Sequence, residues 1–311
     1  MALAMLGLLF FSACRSIAYN AAQTKTDKQS LLYGDLVRVQ AEHSDEVLAW
    51  DVRVATSQAL QTIARQWGPL RVPVTVVIHA DHRALERALG KQDIPWLRAW
   101  ARFDRVDLQS PKSFAFKHSY EKALGELLCH ELSHVWTYQQ LGDKKTWRQA
   151  WIPFWFREGL ASWTAQQGYR RGSPSKIGQK LQTLHIHLDP LLDAAQLNKD
   201  HQPLAYAAAH WAFDLLVKEH GTAPVKKILQ DMAQDLRCRS LMQNNKDINK
   251  GGSDDDKAIV VEHRQKCKTP GRGFAQAFAY HFGESEKAFA KRFRAYCASG
   301  KTNTRLKAPK K

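Results

Sequence analysis

Apolar residues recur along this chain with two distinct periods. Between Val47 and Trp67, the residues Val47, Trp50, Val54, Leu60, Ile63 and Ala64 fall at helical intervals, and Gly68-Pro69 ends the run. The β-branched run Val72-Pro73-Val74-Thr75-Val76-Val77-Ile78 predicts a buried strand. His82 to Leu89 predicts a short helix stopped by Gly90. From Phe103 to Leu108, apolar Phe103, Val106 and Leu108 stand among charged neighbours before Ser110-Pro111, which predicts a second strand, half exposed and at an edge. The strongest helix covers Ser119 to Leu141, with Leu124, Leu127, Leu128, Leu132, Val135 and Trp136 on one face and Gly142 as its stop. Pro153 can open the next helix, which runs through Trp155, Leu160 and Trp163 to Gly168. Further helices fit Gly178 to Leu184, Leu204 to Gly221, Val225 to Leu236, and Phe274 to Cys297 with a break near Gly283. The pattern predicts an α+β fold: a small N-terminal sheet with helices, then a mostly helical lobe, with the helix over 119–141 between them.

The two ends and one internal stretch depart from this pattern. Ala2 to Ala13 is apolar and too short to span a bilayer, the form of the hydrophobic region of an export signal. Phe11-Ser12-Ala13-Cys14 resembles the bacterial lipobox, although Phe11 replaces the usual aliphatic residue and no Lys or Arg precedes the apolar run. The expectation is an exported protein, periplasmic or anchored to a membrane through Cys14, with residues 15–45 as a tether. Asn244 to Lys257 is polar and glycine-containing and predicts a flexible loop, and the Lys/Arg-rich end over 299–311 predicts a disordered tail.

Composition is that of a globular protein, with 44% hydrophobic and 24% charged residues over 311 positions. The net charge of +16 suits polyanions in general, but no run concentrates it into a groove-reading pattern, so no specific nucleic acid is expected. Ten tryptophans are many for this length. Most are expected in the core, and Trp136, Trp147, Trp151, Trp155 and Trp163 crowd one short stretch. Among the cysteines, Cys238 and Cys267 flank a polar loop, where a disulfide would suit an oxidising compartment. Cys129, inside a helical pattern, reads as core packing.

The chemistry lies in that crowded stretch. His130-Glu131-Leu132-Ser133-His134 stands in the middle of the strongest helix. Residues four apart share a helix face, so both imidazoles can point at one metal ion, with Glu131 beside them to bond its water. A catalytic zinc wants a third protein ligand and an open position. Thr137 and Gln140 stand where the metzincin pattern needs Gly and His, which excludes that class. The better candidate is Glu158, early in the following helix, although His185, His187, His201 and His210 remain rivals.

Here the chain resembles the gluzincins, more narrowly the peptidase-MA-like group, which joins His-Glu-x-x-His to a downstream Trp-x-x-Glu-Gly-x-Ala. Both halves stand in order, the second as Trp155-Phe156-Arg157-Glu158-Gly159-Leu160-Ala161. The likeness covers about Leu48 to Tyr296 and is strong between Tyr120 and Gly168. It implies a zincin-like domain over 46–298 with an insertion over 238–270, and Zn2+ held by His130, His134 and Glu158. It also implies an oxyanion donor on a later helix, with Tyr206 expected and His210 the competitor. In the implied reaction zinc activates water, Glu131 is general base and then acid, and a peptide or protein is cut. The strand over 103–108 is the expected edge for an extended substrate. The Gly-x-Met-Glu-Asn element of the aminopeptidase members is missing, which favours an endopeptidase. Two other readings stay open: an envelope-anchored binding or assembly protein with little turnover, and an amidase acting on cell-wall peptide.

Overall fold

The computed structural model describes residues 36–41, 46–113, 120–248, 260–262, 265, 267 and 271–299. The signal and lipobox-like segment, most of the loop over 244–257 and the tail from residue 300 lie outside them.

A four-stranded sheet occupies the N-terminal part, built of β1 (Val37–Ala41), β2 (Val74–His79), β3 (Ala99–Ala101) and β4 (Arg105–Gln109) in the order β1-β2-β4-β3. β1 and β2 are parallel, as are β2 and β4, while β3 returns antiparallel to β4. The parallel pairs need crossovers, supplied by helix α1 (Glu46–Gln66) and helix α2 (His82–Leu89). Two expectations change. Residues 37–41, read as the end of the tether, are a strand of this sheet. The strand predicted over 103–108 is internal as β4, and the edge is the three-residue β3.

β4 looks half exposed in sequence because it carries Arg105, Asp107 and Gln109 between Val106 and Leu108, yet Asp107 and Gln109 are both buried. Asp107 accepts from His79 Nε2 at 2.9 Å and pairs with Arg105, and Gln109 Oε1 lies 3.2 Å from His82 Nδ1. One sheet face is therefore a polar layer under α2, hydrogen-bonded except at Asp107 Oδ2, which has only Arg102 Nε at 3.6 Å. Val74, Val76, Ile78, Val106 and Leu108 alternate to the other face and join the main core. Asp81 caps α2 by accepting from Ala84 N at 2.7 Å, and Gly90 ends it with φ 62°.

Helix α3 (Tyr120–Leu141) lies against α1 and the β3–β4 side of the sheet. Its depth is set by Gln139, which is fully buried. The Gln139 carboxamide accepts from Arg71 N (2.8 Å) and Val72 N (3.1 Å) and donates to Val72 O (3.2 Å) and Phe103 O (3.0 Å). All four bonds reach backbone at the entry to β2 and β4, so removing the side chain would orphan buried polar groups.

The helical lobe follows as α4 (Phe154–Thr164), α5 (Pro174–Thr183), α6 (Ala194–Asp200), α7 (Gln202–His220), α8 (Ala223–Ile248), α9 (Phe274–Phe282) and α10 (Glu286–Ser299). α4 packs along α7 and against α3. Trp67 joins α1 to this lobe: its Nε1 donates to Thr164 Oγ1 at 2.8 Å, and its ring meets Trp136, Trp163 and Phe213. Gly283, with φ 74°, separates α9 from α10 at the expected break. Cys238 and Cys267 are disulfide-bonded with Cα atoms 5.6 Å apart.

Candidate metal centre

His130 and His134 sit one turn apart on α3, with ring centroids 4.9 Å apart and planes at 86°. Helical spacing aims both Nε2 atoms at the start of α4. There the Glu158 carboxylate arrives, its Oε2 3.3 Å from His130 Nε2 and 3.4 Å from His134 Nε2. All three residues are buried, and their ligand atoms lie within 4.8 Å of one another. This buried group could hold a metal ion. Among the described residues no hydrogen bond reaches the buried Nδ1 of either histidine.

The two oxygens of Glu158 are divided between partners. Arg157 Nε and Nη2 donate to Oε1 at 3.1 and 3.0 Å, while Oε2 faces the histidines. Burial alone would raise the carboxyl's pKa, but His134, His130 and Arg157 together hold it well below the usual carboxylate range. The group is therefore an anion, as a metal ligand must be. Cys129, next to His130, instead faces α4, with Sγ 3.7 Å from Thr164 O, and burial pushes its thiol up to about 12. It is an unreactive packing residue.

Around the histidines is a cleft of about 320 Å³, into which Glu131, Tyr138, Asn198 and Tyr206 also open. Glu131 has no ion pair among the described residues. Burial and the nearby Glu158 and Glu131 carboxylates raise the Tyr206 phenol well above its ordinary value, and Arg157 and Arg171 offset this in part. Tyr206 stays protonated and can donate. Burial likewise pushes Tyr138, stacked on His134 with centroids 6.1 Å apart, up to about 12.

His210 does not line this cleft. Its Nδ1 is 3.3 Å from Ser162 Oγ, and its Nε2 lies against Gly168, where a Cβ would come within 2.6 Å. His185 and His187 are exposed, and His201 stands at the N-cap position of α7 with no capping bond from its side chain. None joins the cluster. Three participants, Tyr138, Arg157 and Asn198, were not anticipated. Arg157 escaped because neighbours in a helix do not normally face each other, and only the length of an arginine lets it curl back. Asn198, whose Oδ1 is buried without a partner among the described residues, has no motif to mark it. No family model, no curated protein and no solved structure matches this chain.

Proposed function

We propose that the protein is a zinc-dependent peptidase of the gluzincin type, cutting peptide bonds within polypeptide chains. The observation that carries this reading is the meeting of Glu158 Oε2 with the Nε2 atoms of His130 and His134 beside the free carboxylate of Glu131. Two imidazoles and one carboxylate are a donor set that suits zinc with a coordination position to spare. Zinc bound there would acidify its water and polarise a carbonyl.

The remaining work belongs to the chain's own groups. Glu131 takes the proton from the attacking water and delivers it to the leaving amine. Tyr206 donates its hydroxyl to the developing oxyanion. Arg157 holds Glu158 so that one oxygen stays turned to the histidines. Substrate lies along β3, whose second edge pairs with no other strand among the described residues. The Cys238–Cys267 pair and the apolar leader both support an exported protein.

The test is Glu131→Gln. Elemental analysis should find the parent's zinc content in the variant, while hydrolysis of denatured casein falls about a thousandfold. Hydrolysis at the parent's rate would remove Glu131 from the mechanism. A parent that takes up no metal would remove the reading altogether.

A further inference from the structure

The cleft continues beyond the histidines. Past Trp100, Tyr138, Phe154 and Arg157, which border both spaces, it opens into a second chamber of about 600 Å³. Trp147, Trp151, Ile152, Leu191 and Leu192 give it apolar walls. Trp151 is 69% exposed and Leu192 47%, so a large apolar surface faces solvent inside a concavity. Rings in mutual contact run from one space to the other. Trp147 lies on Tyr138 with centroids 4.2 Å apart, and Tyr138 lies on the metal-site His134.

Charge singles out one part of this chamber. Three guanidinium groups border it, those of Arg102, Arg148 and Arg157. Arg157 is committed to Glu158, and Arg102 reaches Asp107 Oδ2 at 3.6 Å. Arg148 rests over the Trp147 ring, 5.3 Å from its centroid, and no carboxylate pairs with it among the described residues. The acid on the wall, Glu286, accepts from Trp155 Nε1 at 2.7 Å. An aromatic surface with an uncommitted cation above it matches a side chain that is bulky and apolar next to one that carries a carboxylate.

The edge strand supplies a direction. Arg102 N donates to Arg105 O, and Gln109 N donates to Arg98 O, so residues 98 and 102 turn their peptide groups towards β4. By alternation, Ala99 and Ala101 turn theirs to the open edge. Along β3, Ala99 and Ala101 border the metal chamber and Trp100 borders both, while Arg102, just past the strand, borders the second alone. A peptide pairing antiparallel, the commoner arrangement, thus passes from the second chamber to the metal. Given the peptidase reading on which this rests, we infer that the second chamber binds the segment upstream of the scissile bond and selects an acidic residue beside a bulky apolar one, with Arg148 as the anion contact.

The test uses the full chain carrying Glu131→Gln, loaded with zinc, and follows tryptophan fluorescence as peptides bind. The probes are a short peptide containing Glu-Phe and its twin containing Lys-Phe. The Glu-Phe peptide should bind about tenfold more tightly, and adding Arg148→Glu should reverse the order. Equal affinities, or an order indifferent to Arg148→Glu, would overturn the assignment. Product masses from the parent should place Glu-Phe upstream of the cut, and cuts on its other side overturn the direction. A peptide that binds with the expected preference but is never cut overturns the peptidase reading and the upstream placement, and supports only the chamber's preference for an acidic residue beside an apolar one.

Discussion

One oxygen of Glu158 serves Arg157 and the other faces the histidine pair. The cluster was only partly legible in the sequence. The spacing of His130 and His134 is a local matter of helix geometry, and any helix over this segment would have juxtaposed them. Glu158 depends on a second helix arriving at the right angle, so it needed the downstream motif to be recognised. His210 shows what sequence proximity could not tell. It lies one turn beyond Tyr206 but is turned into the core, where burial lowers its pKa to about 4, with Asp214 opposing and Arg171 and Lys218 assisting the shift. The consequence for stability has a definite sign. With its folded value depressed below an ordinary 6.5, the unfolded chain binds more protons between those limits. The stabilisation is complete above the unfolded value and drains away as pH falls through the folded one. Its size is about 3 kcal/mol. Urea unfolding of parent and His210→Gln between pH 6.5 and pH 4 should show the parent losing more stability than the variant. Equal losses would mean that His210 is not held neutral in the fold.

Helix α4 presents Glu158 only because it lies very close to α7, and Gly159 permits that approach. A Cβ there would stand 2.5 Å from Ala209 O and 2.7 Å from Phe213 Cβ, and neither neighbour is the movable end of a side chain. The Glu-Gly step of the motif therefore has a packing cause: the carboxylate that meets the histidines is carried by the residue adjoining the helix contact that positions it. Gly159→Ala should push α4 off α7, costing about 1–3 kcal/mol. Because Glu158 moves with α4, zinc affinity should also fall by about tenfold or more. Thermal unfolding and a chelator competition would read the two effects, and unchanged metal affinity would separate the helix contact from the ligand. The edge strand marks the opposite limit of legibility. β3 is three residues long, too short to stand out as a period, and β4 advertises an Asp107 whose second partner, His79, lies 28 positions away, beyond any local window. Strand order is a long-range property, and the sheet edge was misplaced by one strand for that reason.

Across the whole chain, the α+β division and most helix limits were readable because apolar periodicity is local, and α2 falls where its pattern places it. The tryptophans were less readable. Trp67, Trp136 and Trp155 are buried, whereas Trp96, Trp100 and Trp151 are exposed, and two of these, Trp100 and Trp151, border the second chamber. A ring that packs in a core and one that lines a cavity look alike in sequence. The Cys238–Cys267 pair forms as the polar loop between the two cysteines suggested, with Cys238 inside α8 and the chain returning over 29 positions to reach it. Closing a loop of that length removes freedom from the unfolded chain worth about 3–4 kcal/mol. Neither cysteine borders the metal chamber. Reduction, or the pair Cys238→Ser and Cys267→Ser, should therefore lower the free energy of unfolding by about that amount while zinc stoichiometry stays as in the parent. A protein exported into an oxidising compartment would hold this bond as isolated, and a thiol titration of the unfolded protein would count it. If reduced and untreated protein unfold at the same urea concentration with the same thiol count, the crosslink is not formed, and the argument for export loses its strongest support.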